Sequence, residues 1–593
     1  MLILFKNLIN KVSSKKINST YFDIVFFILI LYSLSQSIVI AKEDLFILNN
    51  FNSAIKYLWL SSPIIFLYLL LRLIRIPILL CGYITLSIIF TLEFINNTKT
   101  ALTGEPLSFN DITSGVNLTI AGRYLTMWPI AIGLIIFFGG IISIILSKKI
   151  ITTRKKHFLI LTTLIIITPF SFSPYFIPTP ENDNKLYEKI NSLANKFDVV
   201  YFSWDWPGNV RTHGLPMHLI QTSTRKSVPK ATNLERELYE KERNIHSISP
   251  AKHKTIIYIL CESCWYDSKN FIDKFSPLFH MGYKQLRATS SVYGGGTANS
   301  EFEMLTGLPS NSKVLSGIIY QEYAGFIKPN ADTLASALKN RGFITFSAHN
   351  NDKGFWRRDV IYQKFGFDKF EGLSDMGALP PEYASKKKSW QWQPDDYLLY
   401  RAALSTIKQA NGKKIFLNLI TMSTHGPFQH INDYGEGVYN YQINESIERI
   451  TEFSKELEKI DPDAVIVIYG DHKPSLNKFF YENNVLPSDL FLKTGDNDQD
   501  FIFKGNVTPK DFGDVPVLIK SKDEESIKRL VEEANNKPFF CLSTLIDKYF
   551  INSGLPAFNY NNQNICGKDL PYSYEEESLM TPTWFYSLAL FQD

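Results

Sequence analysis

Five long apolar runs crowd the first 170 residues of this 593-residue chain, and they limit what it can fold into more than any other feature. They cover residues 24–41, 57–73, 77–94, 125–146 and 158–172. Each approaches the roughly 20 apolar residues that a helix needs to cross a bilayer. The basic residues between them fall into two classes. Lys6, Lys11, Lys15, Lys16, Arg72, Arg75, Lys148, Lys149, Arg154, Lys155 and Lys156 lie on one side of the alternating path, and only Lys42, Lys56, Lys99 and Arg123 lie on the other. Cytoplasmic loops gather Lys and Arg. The pattern predicts a cytoplasmic N-terminus, five crossings, and an extracytoplasmic remainder from about residue 173. Buried core helices of a soluble protein have no reason to share such an asymmetry. The first run does not read as a cleaved signal, because four more follow and no small-residue cleavage site stands out.

Charge divides the chain in the same place. The first 170 residues hold 15 Lys and Arg against 6 Asp and Glu, a net of +9 in a chain of +4, so the remainder is −5. No basic block interleaved with aromatics occurs, which excludes nucleic acid as a partner. Residues 173–252, with the loop-like "SPYFIPTPENDN" and the charged "NLERELYEKERN", read as a linker with helices. Residues 253–552 read as one catalytic domain and 553–593 as a C-terminal extension. Cysteine is sparse. Cys81 lies in a membrane run; Cys261 and Cys264 form a C-x-x-C; Cys541 and Cys566 lie far downstream. No second pair at knuckle spacing exists, so a zinc ribbon is excluded. The C-x-x-C closes an apolar strand instead of opening a helix, which counts against a redox motif. Whether Cys541 and Cys566 pair is open.

From His253 onward apolar strands alternate with helices. "KTIIYILCES", "FITFSAHNN", "KKIFLNLITMSTHGP" and "DAVIVIYGDHKP" read as strands, with "ADTLASALKNRG" and "YNYQINESIERITEFSKELEKID" as helices. Continuous apolar strands between helices predict a mostly parallel sheet covered on both faces. Chemistry in such sheets gathers at the carboxyl ends of strands. Those ends carry Glu262, His349, His425, Asp471 and His472. Glu262, Asp471 and His472 make a mixed carboxylate–imidazole set suited to a divalent ion. Each alone is weak, an Asp-His after a strand being more often a surface turn than a ligand; together they point to a site.

One further stretch, "SSVYGGGTANSEFEM", runs three glycines into Thr297. Glycines permit close backbone approach, and a helix N-terminus favours an anion. Thr297 is therefore either a displayed nucleophile or, with Ser300, a helix cap.

"YILCES", "GGGTANSEFE", "AHNNDKGFWRRDVIYQKFGFDKF", "TMSTHGPF" and "VIVIYGDHKP", in this order, resemble the lipoteichoic acid synthase-like phosphoglycerol and phosphoethanolamine transferases of the alkaline phosphatase/sulfatase superfamily. The resemblance covers nearly the whole chain. It implies an N-terminal five-helix transmembrane bundle followed by an α/β sulfatase-like domain, in a multi-pass plasma-membrane protein. It implies Thr297 as nucleophile, with Glu262, Thr297, Asp471 and His472 around one divalent metal, Mn²⁺ foremost and Zn²⁺ or Mg²⁺ as alternatives. Trp356, Arg358 and His425 match substrate-binding positions, and His425 and His349 match catalytic histidines. The implied reaction moves phosphoglycerol from phosphatidylglycerol, or phosphoethanolamine from phosphatidylethanolamine, to a glycan or polymer acceptor. Phosphoethanolamine transferases often carry several disulfides, which five cysteines fit less well. A formylglycine sulfatase would need a C/S-x-P-x-R motif, and residue 297 is Thr without one. Hydrolysis with water as acceptor is the alternative.

Overall fold

The computed structural model describes residues 17–37, 51–103, 106–113, 128–147, 150–151, 154–176, 185–199, 201, 206–223, 228–244, 253–310, 314–315, 317–430, 433–504, 509–567 and 580–591. The chain divides into two compact units. One holds residues 1–100 and 105–227; the other holds 101–104 and 228–593.

In the first unit each apolar run folds as a helix: α1 (Ser19–Ser37), α2 (Phe51–Leu73), α3 (Ile78–Thr103), α4 (Trp128–Ser147) and α5 (Arg154–Ser171). Among the described residues, Ala54–Leu73 and Ile78–Ala101 are long and apolar enough to cross a membrane. Ser19–Ser33 and Gly133–Ser147 are shorter apolar helices. Phe137, Phe138, Ile145, Phe158, Leu159 and Ile165 stand exposed on their helices, a surface that water does not favour. Asp23, near the start of α1, bonds Arg72 at the end of α2 at 3.0 Å and lies 3.9 Å from Lys156 at the start of α5. The starts of α1 and α5 thus meet the end of α2. Residues 38–41 and 125–127 of the predicted runs, and Lys6, Lys11, Lys15, Lys16, Lys42, Arg123, Lys148 and Lys149 of the charge argument, lie outside the described residues.

The second unit opens with α6 (Asn233–Asn244), which packs beside the C-terminal helices of this unit; Tyr239 donates to Asp332 at 2.6 Å. Its centre is an eight-stranded sheet. In chain order the strands are β1 (Thr255–Cys261), β2 (Lys284–Thr289), β3 (Ile344–His349), β4 (Lys369–Glu371), β5 (Ile415–Ile420), β6 (Val465–Gly470), β7 (Asp514–Lys520) and β8 (Lys537–Pro538). Across the sheet the order is β8-β2-β7-β6-β1-β5-β3-β4. All run one way except β7, which is antiparallel to both neighbours. The parallel core expected from the sequence is β6-β1-β5-β3-β4.

Alternate residues of each strand enter two separate cores. Ile256, Tyr258, Leu260, Val467 and Tyr469 join one, and Ile257, Ile259, Leu417, Leu419 and Ile468 the other. Both faces are covered, so the strands read as unbroken apolar runs. The helices used below are α7 (Thr297–Thr306), α8 (Leu334–Asn340), α9 (Arg358–Lys364), α10 (Tyr397–Ala410), α11 (Glu436–Ile460) and α12 (Phe539–Ile546). A capping box at Thr333 and Ser336 starts α8, where "ADTLASALKN" predicts a helix.

Candidate active site

Strand register assembles the site. Gly470 of β6 pairs with Cys261 of β1, so the next residue on each strand, Asp471 and Glu262, emerge side by side. His349 of β3 pairs with Ile420 of β5, which carries the loop to His425 along the same edge. Glu262, Asp471 and His472 are buried, and one ligand atom of each lies within 4.8 Å of the others.

His472 Nδ1 lies 3.0 Å from the Lys473 carbonyl. That bond assigns the proton to Nδ1 and turns the Nε2 lone pair inward. Nε2 then faces Asp471 Oδ2 at 3.1 Å and Glu262 Oε1 at 3.6 Å. Asp471 Oδ2 accepts no hydrogen bond. Its 3.1 Å contact with Nε2 is with a lone pair, which explains why a short contact is no bond. Two carboxylates and an imidazole lone pair converging within 4.8 Å make a ligand set that fits a divalent cation.

Burial raises both acids in such a place. For Asp471, burial and then the charge of Glu262 push the carboxyl up, against the pull of His472. For Glu262 burial is again the largest influence and would raise it. His425, His472 and the hydroxyls of Ser263 and Thr297 outweigh it and hold the group below the ordinary carboxylate value. Two buried carboxylates cannot both ionise side by side without a counter-charge.

Thr297 enters this cluster from α7. Its hydroxyl donates to Glu262 Oε2 at 3.1 Å and lies 3.5 Å from His472 Nε2. The helix cap is Gly296, in the left-handed region at φ 87°, and no side chain caps the helix. A Cβ at Gly296 would lie 2.9 Å from Val292 Cγ1, so the turn needs glycine there. The capping alternative for Thr297 therefore falls away. Ser300 is fully buried, and its hydroxyl donates to the Asp471 carbonyl at 2.8 Å. It ties α7 to the β6 loop.

The histidines separate. His349 is buried; burial, then the charges of Arg358 and His425, hold its imidazole well below the ordinary value. It is neutral, and a proton-donating imidazolium role does not suit it. His425 is half-buried, with Nδ1 2.6 Å from the Gly426 carbonyl.

Arg358 differs most from expectation. The resemblance makes it a substrate-binding residue, yet it is 1 % exposed and ion-paired with Glu301 on α7. Nε bonds both Glu301 oxygens at 3.1 and 3.2 Å, and Tyr362 donates to the same carboxylate. The reason lies in the turn before α9. Trp356 and Arg357 both adopt left-handed backbone, at φ 53° and 59°, a costly conformation for non-glycine residues. The turn leaves Trp356 half-exposed and Arg357 exposed, and buries Arg358. The Arg358 guanidinium lies 5.0 Å from the Trp356 ring centroid.

Several site residues were not foreseen. Ser263 donates its N–H to Asp471 Oδ1 at 2.7 Å and its hydroxyl to Glu262 Oε1 at 3.0 Å. Thr424 donates to the Glu262 carbonyl. Asp396 accepts from Asn350 at 2.8 Å and from the Met422 N–H at 2.8 Å, joining the loops that carry His349 and His425. Gln393 donates to the His425 carbonyl, and the Trp392 ring lies 5.7 Å from His425. The hydroxyls beside Glu262 and His425 in "CES" and "MSTH" were the available signal. Nothing local marks Asp396 or Glu301.

The profile of the Sulfatase family matches residues 254–539. A Rhizobium meliloti protein named for cyclic beta-1,2-glucan modification is 23% identical over 342 residues, 53% of this chain and 50% of its own length. A lipoteichoic acid synthase of Staphylococcus saprophyticus is 29% identical over 294 residues, 43% of this chain and 42% of its own. The chain thus spans about half the length, or less, of these curated relatives. Among solved structures, a Streptococcus pyogenes phosphoglycerol transferase in complex with sn-glycerol-1-phosphate aligns over 61% of this chain and 96% of its own. That alignment has 16% identity and a TM-score of 0.39.

Proposed function

Because the chain is a lipoteichoic acid synthase-like member of the alkaline phosphatase/sulfatase superfamily, we propose that it is a membrane-bound phosphoglycerol transferase. It takes the headgroup of phosphatidylglycerol onto Thr297 and passes it to an extracytoplasmic glycan or polymer. The N-terminal part is a five-helix transmembrane bundle holding the catalytic domain at the outer leaflet, where the lipid donor lies. The single observation that carries the reading is the placement of the Thr297 hydroxyl, 3.1 Å from Glu262 Oε2 and 3.5 Å from His472 Nε2.

In the first half-reaction a bond forms between Thr297 Oγ1 and phosphorus, and the bond from phosphorus to the diacylglycerol oxygen breaks. The Thr297 proton leaves along the bond to Glu262 Oε2. His425, reachable from solvent, protonates the departing alkoxide through Nε2. Neutral His349 donates a hydrogen bond within the pocket. Trp356 walls the headgroup, and Arg358 sets that wall from beneath while holding α7 through Glu301. The second half-reaction mirrors the first. An acceptor hydroxyl loses its proton, its oxygen bonds phosphorus, and Thr297 Oγ1 leaves with a proton. A divalent ion, Mn²⁺ ahead of Zn²⁺ and Mg²⁺, held by Glu262, Asp471, His472 and Thr297 would lower the pKa of the hydroxyl and offset phosphoryl charge.

Phosphoethanolamine transfer is the second reading. The presence of disulfides, Cys261–Cys264 and Cys541–Cys566, is the observation on its side, although two bridges are fewer than the several that this branch of the resembled family often carries. Mass spectrometry of the full chain incubated with phosphatidylglycerol or phosphatidylethanolamine vesicles decides between them. A phosphoglycerol adduct on Thr297 is expected. A phosphoethanolamine adduct supports the second reading, and an adduct elsewhere, or none with turnover intact, defeats the covalent scheme.

A further inference from the structure

The C-x-x-C motif is not absorbed by the reaction, yet it brackets Glu262. We propose that the Cys261–Cys264 disulfide is a positioning clamp for the cation site: it fixes the approach of Glu262 to Asp471 and His472, so breaking it weakens ion binding. The proposal rests on the metal reading given above.

The bridge closes a four-residue ring with Glu262 and Ser263 inside it. Within that ring the Cys264 N–H donates to the Cys261 carbonyl at 3.1 Å. Ser263 sits in the left-handed region at φ 51°. In this conformation its N–H donates to Asp471 Oδ1 at 2.7 Å and its hydroxyl to Glu262 Oε1 at 3.0 Å. One turn thus holds a carboxylate from each of the two strands. The turn also lies directly on β6: a Cβ at Gly470 would come 2.1 Å from the Cys264 carbonyl oxygen. Only glycine, the residue before Asp471, allows the closed ring to settle there. A non-glycine residue resists positive φ. Without the covalent closure the turn is held by hydrogen bonds alone, the Cys264 N–H to the Cys261 carbonyl at 3.1 Å and the Tyr439 hydroxyl to the Ser263 carbonyl at 2.9 Å, and the positive φ that aims both Ser263 donors is less firmly fixed.

The second bridge is a built-in control. Cys541 and Cys566 lie 25 residues apart in a small apolar cluster with Phe540 and Ile565, joining α12 to the chain beyond it. Neither neighbours a candidate ligand in sequence. Outer-shell partners of metal ligands change affinity about 10–100-fold when lost, whereas a remote disulfide changes stability alone.

The test uses the full chain in detergent and Mn²⁺ as the probe, with affinity from equilibrium dialysis and melting temperature from circular dichroism. Cys261→Ala/Cys264→Ala is expected to weaken Mn²⁺ binding about 10–100-fold. Cys541→Ala/Cys566→Ala is expected to melt lower and bind Mn²⁺ as the parent does. Should the first variant fail to fold, the second, left with one bridge, is dialysed before and after treatment with a water-soluble phosphine. The phosphine takes oxygen from water and becomes the oxide; the S–S bond breaks and each sulfur gains a proton. Weaker binding after that treatment, restored on reoxidation, supports the clamp. Parent-like Mn²⁺ affinity without the Cys261–Cys264 bridge, or equal weakening in both variants, overturns it. Equal binding by the parent and Glu262→Ala defeats the metal reading itself, and the clamp with it.

Discussion

A threonine hydroxyl is a poor nucleophile unless its surroundings help, and Thr297 stands where a carboxylate, an imidazole lone pair and a helix N-terminus meet. Thr297→Ala is expected to stop release of diacylglycerol from labelled lipid. Because Gly296 and not Thr297 caps α7, its melting temperature should stay near the parent value. Thr297→Ser keeps the hydroxyl and loses the methyl that restricts its rotamer; partial activity is expected. A Thr297→Ala protein that still releases diacylglycerol ends the nucleophile assignment. At this scale the sequence was a good guide to the cluster. Glu262, Asp471 and His472 follow unbroken apolar strands, and strand ends are local features. It was a poor guide to Arg358. Which carboxylate a buried guanidinium finds depends on a helix 57 residues away, and nothing near "FWRRD" names Glu301.

At the scale of elements, α7 and α9 are joined by that buried pair. Removing one partner of a buried ion pair leaves the other charge stranded, at a cost of about 3–5 kcal/mol. Glu301→Gln and Arg358→Lys are both expected to lower stability in urea titrations, the lysine because it keeps charge but loses the fork. Exposed Arg357 should tolerate lysine silently. Stable, active Arg358→Lys with a damaged Arg357→Lys would show that the turn places the wrong arginine inside. On α11, burial pushes the Glu445 carboxyl from 4.5 up to about 7, while Gln391 donates to it. The folded chain then keeps a proton that the unfolded chain releases near its ordinary pKa. Stability falls as pH rises from about 5 to about 7, by on the order of 3 kcal/mol from this group. Glu445→Gln should flatten that part of the pH–melting curve; an unchanged slope would mean that Glu445 is already ionised at pH 5. The antiparallel strand β7 was not foreseen. Its pairing with β2 and β6 is a long-range choice that its own residues do not announce.

For the whole molecule, the reading with five crossings puts residues 200–593 outside the cytoplasm. Protease added to right-side-out spheroplasts should remove the catalytic domain. Complete protection, with accessibility controls intact, would reverse the topology. The helices themselves were legible because apolar runs are local. Where helices lie relative to a bilayer depends on loop charges such as Lys42 and Arg123, which only a membrane can read.

The pairing of β1 with β6 has a consequence in time. Ser263 and Asp471, bonded to each other, lie 208 residues apart in sequence. At about 5–20 residues per second, a ribosome needs roughly 10–40 s to supply the second half of the cluster after the first. Until then Glu262 has no companion, and no three-ligand pocket exists for any ion to enter. On the proposed metal reading, the choice of ion would therefore be made late in synthesis, by whatever ions surround the chain where β6 finally docks, and not by the pool in which Glu262 was made.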